Sequence, residues 1–587
     1  MEEELETLKG DKKIPLKELL KRILKYIAPE RVSFISALLL VAFNVFLDTL
    51  SPLFTSKITD ELVSDNIRLN FVIRLAVLSF VIVLINQIFL YLESKILQNC
   101  GQRIIYRMRN EVFEHIENLS LNQFAQMPVG SLVTRVTSYT ASMSELFTGV
   151  FVRILRDITT LFGVYIVMVY ISPSLSFSML SIIALVFGIS LFFSKRISNY
   201  FRKDRAALSD LNSFLSENIA GMKITQIYNQ EERKDNEFKK KNDECLNNRL
   251  SIVRNNGIFR PLISFIYTSS IALCFALGIK YQLSAGEIVA FYLYLSRFFH
   301  PIQNLADQLN TFQKAMTASE RIFNLLDVKA DVLDREGAIE VDNLKGRIEF
   351  KNVWFAYEKE NWILKDVSFV IEPKQTVAFV GATGAGKTTI LQLIVRNYEV
   401  QKGEILIDGI NINNIKIDSL RKAIGQMLQD VFLFSGTIAS NVSLHDESYT
   451  KEEIMEACRY VNADSFINKL PKGLDEEIIE KGENLSQGQR QLLSFARTVI
   501  HKPQILILDE ATANIDTETE VLIQKSLEKM KNIGTMLVVA HRLSTIQHAD
   551  KIIVLQNGEL IEEGNHQELL KNRSYYYKLY QLQFENN

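Results

Sequence analysis

The chain has 587 residues, more than one hydrophobic core normally serves, so we expect several domains. Its net charge of −2 provides no overall attraction to nucleic acid, and we expect no nucleic-acid partner. Hydrophobic residues make up 47% and the mean hydropathy is +0.06, which is high for a chain with 23% charged residues. The apolar runs are concentrated in residues 30–320, whereas residues 335–587 have the composition of a soluble α/β domain.

The cysteines and the N-terminus give no sign of secretion or of metal binding. None of the four cysteines forms a C-x-x-C pair, so we expect inert thiols and neither a disulfide framework nor a metal site; they are Cys100, Cys245, Cys274 and Cys458. The opening residues, MEEELE, are acidic and lack an apolar stretch with a cleavage site. We therefore expect no cleavable signal peptide.

Six apolar segments are long enough to cross a bilayer, which takes about 20 residues in helical form. They are Val32–Phe54, Phe71–Leu92, Leu146–Ile171, Leu175–Phe193, Pro261–Ile279 and Ile288–Leu309. Such a set argues against a soluble ATPase that only associates with a membrane. The sequence predicts a multi-pass protein of the cytoplasmic membrane, in contact with the lipid bilayer.

Lysine and arginine predict the orientation of these segments. Basic residues between Lys12 and Lys25 precede the first segment, and others between Lys195 and Arg205 follow the fourth. By the positive-inside rule both regions are cytoplasmic, and an even number of spans then places both termini in the cytoplasm. The basic, amphipathic stretch Leu16–Ala28 predicts a helix along the inner membrane surface.

Polar and aromatic residues stand out within the apolar half. The long charged insertions after the second and fourth segments predict helices that continue out of the membrane. Arg153 and Asp157 are one helical turn apart and either pair with each other or face a cavity. The last segment is aromatic; packing or lipid contact explains most such clusters, and a pocket for apolar or cationic ligands is the alternative. Its rings belong to Phe291, Tyr292, Tyr294, Phe298 and Phe299.

In the soluble half, GATGAGKTT matches the phosphate-binding pattern G-x-x-x-x-G-K-[ST]. The apolar run Thr376–Val380 predicts a buried strand before it, and Thr389–Val395 a helix after it. Glycines allow backbone N–H groups to turn toward a polyphosphate, lysine reaches the β- and γ-phosphates, and the threonine hydroxyl can bind Mg²⁺. We therefore predict an ATP and Mg²⁺ site formed by Gly381, Ala382, Thr383, Gly384, Ala385, Gly386, Lys387, Thr388 and Thr389.

A second apolar run, Ile505–Leu508, ends in two acids. Asp509 at the end of the predicted strand can hold the Mg²⁺ shell, and Glu510 can orient and deprotonate an attacking water. An acid pair after a strand is weak evidence when it stands alone. Following a phosphate-binding loop at this distance, it predicts ATP hydrolysis.

The sequence LSQGQ, Leu485–Gln489, resembles the LSGGQ signature of ATP-binding-cassette proteins. Six spans followed by such a domain resemble a multidrug-exporter-like half-transporter of this family, of type IV, over essentially the whole chain. The resemblance implies a helical six-span membrane domain followed by an α/β P-loop nucleotide-binding domain. We predict an N-terminal elbow helix at residues 1–30, the membrane domain at 31–325, a linker at 326–340 and the nucleotide-binding domain at 341–587.

The resemblance also implies roles at matching positions. Tyr357 is similar to the aromatic residue that stacks on adenine, and Gln429 to the glutamine that senses Mg²⁺ and contacts the membrane domain. His541 is similar to the switch histidine at the γ-phosphate, and Asp516 to the acid of the D-loop at the dimer seam. The residues that would reach the γ-phosphate bound by the other subunit belong to the signature: Ser486, Gly488 and Gln489.

Two cytoplasmic loops resemble the coupling loops of such exporters, which dock on the nucleotide-binding domains, one of them on the partner's. Phe124, Gly130 and Arg135 lie in the first, and Gly221–Ile224 opens the second.

Two features depart from the family pattern. Gln487 occupies the place of the first glycine of LSGGQ, and the D-loop reads ANID. A side chain there would perturb the ATP site to which this chain lends its signature, while the site on its own phosphate loop keeps its residues. We therefore expect a heterodimer, in which the partner half-transporter lacks the catalytic glutamate; a homodimer is the alternative.

The expected function is ATP-driven export of hydrophobic or amphipathic substrates. A lipid or peptide exporter is the main alternative within the class. An ATP-gated channel or regulatory subunit is the alternative from another class.

Overall fold

A computed structural model describes residues 13–358, 361–427, 431–509, 517–539 and 546–582, apart from a few side chains within these ranges. The chain divides into two compact units. The first comprises Met1–Asn118 and Gln126–Lys329, and the second comprises Leu119–Ala125 and Ala330–Asn587. The change of unit after Lys329 falls inside the predicted linker.

The first unit is helical. Ala28–Glu30 is a 3₁₀ turn, and Arg135–Tyr139 and Leu146–Val150 are π-helical turns that join neighbouring helices. The α-helices are α1 (Leu16–Ile27), α2 (Arg31–Val63), α3 (Leu69–Glu117), α5 (Val129–Thr134), α6 (Thr140–Glu145), α7 (Phe151–Ile171), α8 (Pro173–Ala220), α9 (Met222–Ile227), α10 (Glu231–Lys280) and α11 (Ala285–Leu326). The intervening α4 (Leu121–Ala125) belongs to the second unit.

Among the residues that the structure describes, five helical stretches are long and apolar enough to cross a membrane, and they contain the first five predicted spans; they are Leu16–Val63, Leu69–Glu117, Val129–Ile171, Pro173–Ala220 and Glu231–Lys280. The sixth predicted span lies in α11, several of whose side chains are outside the described set. At 1.5 Å per residue, the 49 residues of α3 reach about 74 Å, well beyond a hydrocarbon core of about 30 Å. The charged insertions therefore continue the spans as helices, as predicted.

Helix α1 places its apolar face against protein. Leu19, Ile23 and Ile27 are buried, while Leu16 and Leu24 on the other side are exposed. The guanidinium of Arg22 donates to both carboxylate oxygens of Asp327, at 2.8 and 2.6 Å. The apolar face of α1 is thus buried in the helical unit, and Arg22 on this helix is bound to the end of α11.

Polar groups of the membrane unit pair between helices. The buried Glu93 of α3 receives hydrogen bonds from Arg156 of α7 and from Asn44 of α2, the latter at 3.0 Å. Asp157 accepts a hydrogen bond from Gln308 of α11 at 2.6 Å. The pairing of Arg153 with Asp157 is not formed, because the guanidinium of Arg153 lies over Gly149, in the opposite direction along the helix.

The aromatic residues of α11 form core rather than a pocket lining. Phe291, Tyr294 and Phe299 are almost fully buried and pack with residues of α7, α8 and α10. Only Tyr292 of the aromatic group is exposed, at 38%. All four cysteines are buried and form no disulfide in the structure.

The second unit combines sheets with helices. Its strands are β1 (Ile348–Ala356), β2 (Trp362–Ile371), β3 (Thr376–Val380), β4 (Lys402–Ile407), β5 (Ile410–Asn411), β6 (Ile424–Met427), β7 (Gly436–Thr437), β8 (Glu477–Ile478), β9 (Ile505–Asp509), β10 (Thr535–Val539), β11 (Lys551–Gln556) and β12 (Glu559–Gly564). Its further α-helices are α12 (Lys387–Ile394), α13 (Ile417–Ala423), α14 (Ile438–Val442), α15 (Lys451–Tyr460), α16 (Asp464–Ile467), α17 (Gln487–Ile500), α18 (Thr517–Met530), α19 (His566–Asn572) and α20 (Tyr575–Tyr580).

The central sheet has the order β12-β11-β3-β10-β9-β6 and is parallel from β11 to β6. β3 and β10 are buried at every position, as expected for parallel strands covered on both faces. Val539 of β10 lies opposite Phe379 of β3 and Asp509 of β9, so these strands end at one edge. Ligands of open α/β sheets bind at this carboxyl edge. An antiparallel sheet, β2-β1-β4-β5, completes the unit.

Candidate active site

The phosphate-binding loop connects the buried strand β3 to helix α12, as the sequence predicts. Gly386 is the residue before the helix and has a left-handed backbone, with φ of 100°. Ala382, Thr383, Gly384 and Thr388 are exposed. The first N–H groups of a helix have no intrahelical partner and carry partial positive charge, so the start of α12 is suited to an anion.

Close packing explains why glycine is needed at Gly381 in this loop. A Cβ atom there would lie 2.3 Å from the backbone oxygen of Leu555. At Gly384, by contrast, no heavy atom lies within 4 Å of a Cβ position. The first glycine is fixed by the neighbouring strand, and Gly384 stands in open space where a ligand can approach the backbone.

Lys387 is folded back into the loop. Its side chain is buried, and Nζ donates to the carbonyl oxygens of Gly381 at 2.7 Å and Ala382 at 3.0 Å. Burial lowers the pKa of Lys387, and the carboxylate of Asp509 opposes that shift. The ammonium group is therefore held at the loop with a carboxylate nearby, at the edge where β3 and β9 end.

Tyr357 directly follows β1 and is hydrogen-bonded to helix α12. Its hydroxyl and that of Thr389 on α12 are 3.0 Å apart, and the Thr389 side chain is buried. The ring of Tyr357 packs edge-on against Phe355 and Tyr398 but is 46% exposed. An aromatic face is thus available beside the phosphate-binding loop, as stacking on a purine requires.

Four residues with predicted roles lie outside the described residues: Gln429, Glu510, Asp516 and His541. In the sequence, Glu510 follows the last residue of β9, and His541 comes two residues after the end of β10. Gln429 comes two residues after the end of β6. All three therefore follow strands that end at the same edge of the sheet as β3.

The signature sequence begins helix α17. Ser486 is the N-cap: its hydroxyl accepts from the N–H of Gln489 at 3.2 Å, and the Gln489 side chain accepts from the N–H of Ser486 at 2.9 Å. Gly488 is buried, whereas Gln487 occupies the first helical position and is exposed. Glutamine therefore fits this backbone, and its side chain stands at the exposed helix start.

Arg490, which the sequence reasoning did not single out, holds the chain that precedes the signature. Its guanidinium donates to the carbonyl oxygens of Gly482 at 3.1 Å and Leu485 at 3.3 Å. In the sequence, only the position of Arg490 directly after LSQGQ could have indicated this role. Within the described residues, no hydrogen bond joins Ser486–Gln489 to the phosphate-binding loop.

Of the two loops predicted to be coupling loops, the first is divided between the two units. Leu119–Ala125, with Phe124, is part of the nucleotide-binding unit, while Gly130 and Arg135 lie in the helical unit. The second loop contains α9, whose residues Met222, Ile224 and Ile227 are exposed.

A nucleotide-binding unit of this kind on one polypeptide with apolar, membrane-length helices defines the class of ATP-driven membrane transporters. The family described as the ABC transporter transmembrane region matches residues 34–302, and the family described as ABC transporter matches residues 364–513. The chain belongs to the ABC transporters. It is a multi-pass membrane protein that binds ATP and couples its hydrolysis to transport.

Similar proteins cover most of the chain. The Bacillus subtilis (strain 168) protein named "Probable multidrug resistance ABC transporter ATP-binding/permease protein YheH" is 40% identical over 505 residues, 84% of this chain and 74% of that protein. The ATP-dependent lipid A-core flippase of Syntrophus aciditrophicus (strain SB) is 33% identical over 97% of this chain and 95% of that protein. A bacterial Atm1-family ABC exporter with ATP bound superposes with a TM-score of 0.78 and 26% identity, over 94% of this chain and 98% of that one.

Proposed function

We propose that the chain is one half of a dimeric exporter that moves hydrophobic or amphipathic, multidrug-type substrates across the cytoplasmic membrane by alternating access. The observation that carries this proposal is that Lys387 is closed on its own loop and that, within the described residues, no hydrogen bond joins this loop to the capped signature helix α17. A loop and a signature that are not bonded to each other within one chain call for a second nucleotide-binding domain to complete each ATP site. Closing two such sites would draw the coupling loops together and open the membrane domain outward.

The roles within each site follow from the chemistry of the side chains. Phosphate oxygens of ATP would replace the carbonyl oxygens that now accept from Lys387, and Tyr357 would stack on adenine. The hydroxyl of Thr388 and the carboxylate of Asp509 are hard oxygen ligands of the kind Mg²⁺ prefers, and Mg²⁺ sites of this kind use few protein ligands beside the phosphates. Gln429 would complete the metal shell, and the metal would neutralise charge on the phosphates.

Hydrolysis is assigned to the residues that follow the strand ends. Glu510 would accept a proton from the attacking water, and His541 would contact the γ-phosphate. Ser486, Gly488 and Gln489 would bind the γ-phosphate held by the partner, with Asp516 at the seam between subunits. The helix start at Ser486 supports this assignment: the capping box occupies the N–H groups of Ser486 and Gln489, and the first N–H groups of the helix have no intrahelical partner and can meet an anion.

The substrate class rests on the multidrug name of the relative with 40% identity and on polar groups at membrane depth. The carboxylate of Asp48 lies 3.3 Å from the guanidinium of Arg297, and the two side chains are 48% and 26% exposed. Ionisable groups within membrane segments usually serve a ligand or a pathway. A lipid exporter is the second candidate, favoured by the flippase that matches 97% of the chain.

The dimer is proposed to be a heterodimer because of Gln487, which puts an exposed side chain at the start of the signature helix. The test is to purify the chain alone and with the product of the neighbouring gene, and to measure ATPase activity with rhodamine 6G as a probe. We expect full probe-stimulated activity only for the pair. Full stimulation from the chain alone would establish the homodimer, and Gln487→Gly would then change little.

Transport is tested in inside-out membrane vesicles that contain the two half-transporters and are supplied with Mg²⁺ and ATP. Rhodamine 6G and fluorescent phospholipids are compared as transported probes. We expect the dye to accumulate against its gradient. Lys387→Ala is the matched variant that should abolish accumulation. Dye movement only down its gradient would identify an ATP-gated channel instead of a pump.

A further inference from the structure

A buried arginine lies just beyond the end of the phosphate-loop helix α12. Arg396 has no exposed surface, and its guanidinium donates to the carbonyl oxygens of Ile415 at 2.8 Å and Leu333 at 2.7 Å. The carboxylates of Asp334 and Glu399 lie 3.5 and 3.6 Å away. A buried charge is costly unless it is paired and hydrogen-bonded, so Arg396 requires the segment with Leu333 and Asp334 to stay in place.

The same segment also holds the first coupling loop. Asp331 accepts a hydrogen bond from Nε2 of Gln123 at 2.8 Å, and the Ser120 hydroxyl lies 3.5 Å from the other oxygen of that carboxylate. Ser120 and Gln123 are buried and also bond to each other, at 3.0 Å. The short helix α4 is thus attached to Asp331 across 208 positions of sequence.

The two attachments are close together along the chain. Asp331 and Asp334 are three residues apart, so at most about 11 Å of extended chain separates the contact with Gln123 from the contact with Arg396. Asp334 is held further by the N–H of Ile417 on α13, at 2.8 Å. Both ends of this short connector therefore have partners within the nucleotide-binding unit.

We propose that the segment Asp331–Asp334 links the phosphate-loop helix to the first coupling loop of the same chain, with Arg396 and Asp331 as positioning residues. When a nucleotide shifts α12, the buried guanidinium moves the backbone of Leu333 with it. The hydrogen bond between Asp331 and Gln123 passes that shift to α4. This connection lies within one chain and is additional to any contact that the coupling loops make with a partner.

A purely structural role predicts a different result from a linking role. If Arg396 and Asp331 only stabilise the fold, their replacement lowers the melting temperature and leaves the response of α4 to nucleotide intact. If they link the two sites, the response of α4 falls while nucleotide binding persists. The pair of Gln123 and Asp331 separates these outcomes, because the direction of its hydrogen bond can be reversed.

The experiment uses the full chain with its partner in lipid nanodiscs. Leu121→Cys, on the exposed side of α4 at 47% exposure, carries a spin label, and the native cysteines are buried and react poorly. The change in label mobility on adding a non-hydrolysable ATP analogue is the readout. Nucleotide affinity is measured separately with a fluorescent ATP analogue, so a failure of ATP binding is recognised as such.

Gln123→Glu places two carboxylates together and should cut the nucleotide-induced change about fivefold or more, the lower range of typical coupling effects. Adding Asp331→Asn should restore it, since the new carboxylate at position 123 can accept from the amide. Arg396→Lys keeps the charge but loses the fork of two hydrogen bonds and should also reduce the change. Lys451→Ala, which removes an exposed ion pair with Asp475, is the control and should have no effect.

An undiminished response in Gln123→Glu, with nucleotide affinity intact, would overturn the proposal. So would a loss that Asp331→Asn does not restore. These two outcomes do not depend on Arg396→Lys folding well.

Discussion

In the nucleotide-binding half, Lys387 is held by the carbonyls of Gly381 and Ala382, six and five residues away. In the membrane half, Arg156 reaches Glu93 across 63 positions and Arg297 reaches the backbone of Asp48 across 249. The first arrangement needs only the short loop between β3 and α12 to close. The second exists only after several long helices have packed together, so its charges depend on the fold of the whole unit.

This difference assigns different tasks to the charged residues of the two halves. Lys387 is hydrogen-bonded to carbonyls of its own loop, so its ammonium group can exchange these carbonyl oxygens for phosphate oxygens without a shift of distant helices or strands. A long-range pair such as Glu93 and Arg156 joins α3 to α7, and its loss leaves a charge inside the helical unit. Replacing a locally held charge such as Lys387 should therefore change chemistry with little loss of stability, and breaking a long-range pair such as Glu93 and Arg156 should do the reverse.

The largest effect is expected at Glu510. Glu510→Gln removes the proposed base, and positioned acid–base groups contribute typically about 10²–10⁴-fold to a rate. Steady-state ATPase activity of the pair should fall by that factor, while binding of a fluorescent ATP analogue and the melting temperature stay near the parent values. Glu456→Gln, on the exposed face of α15, is the matched control. Substantial turnover in Glu510→Gln would refute the assigned role.

The membrane half is tested at Glu93. Glu93→Gln leaves Arg156 without its ion-pair partner, and breaking a buried pair typically costs about 3–5 kcal/mol. Because the Arg156 side chain is 36% exposed, we expect the lower end of that range, read as a fall in melting temperature in nanodiscs. The double variant Glu93→Leu with Arg156→Leu should recover much of the loss.

The exposed pair Lys234–Glu237 supplies the control for that experiment. Both side chains are partly exposed, at 37% and 46%, and a surface ion pair is worth about 0–1 kcal/mol. Lys234→Ala should leave the melting temperature nearly unchanged. An equal fall in the two variants would contradict a special role for the pair of Glu93 and Arg156.

A third experiment compares two glycines of the phosphate-binding loop. Gly381→Ala drives a Cβ against the fixed carbonyl of Leu555, and overpacking of this kind costs about 1–3 kcal/mol. Gly384→Ala meets no atom and pays only for its left-handed backbone, with φ of +82°, about 1 kcal/mol. Urea unfolding should therefore show the larger loss at Gly381. The reverse order would mean that the loop moves freely away from β11.

The same contrast explains what could be predicted from the sequence. The β3–loop–α12 unit and the long helical extensions follow from a motif and from apolar runs, which act over short distances. The capped start of α17 at Ser486 was not predicted, although its two partners lie only three residues apart. The partners of Asp157 and the burial of the α11 aromatics could not be predicted, because they depend on which helices become neighbours. Arg396 was missed for the same reason: its partners Leu333 and Ile415 are 63 and 19 residues away.

The smallest expected effect is a pH dependence at His501, near the end of the signature helix α17. Burial lowers the pKa of His501 below its usual 6.5, and Arg497 lowers it further, while Asp446 opposes the shift. The unfolded chain therefore binds the proton more readily, and stability falls as the pH falls through the interval between the folded pKa and 6.5. In His501→Gln, the melting temperature should change less with pH over this interval.

Tyr449→Phe is the control for this experiment. It removes the hydroxyl 3.1 Å from Nδ1 of His501 but keeps the imidazole, so the pH dependence of the melting temperature should remain. Equal slopes in the parent and His501→Gln would show that another group of the unit titrates there.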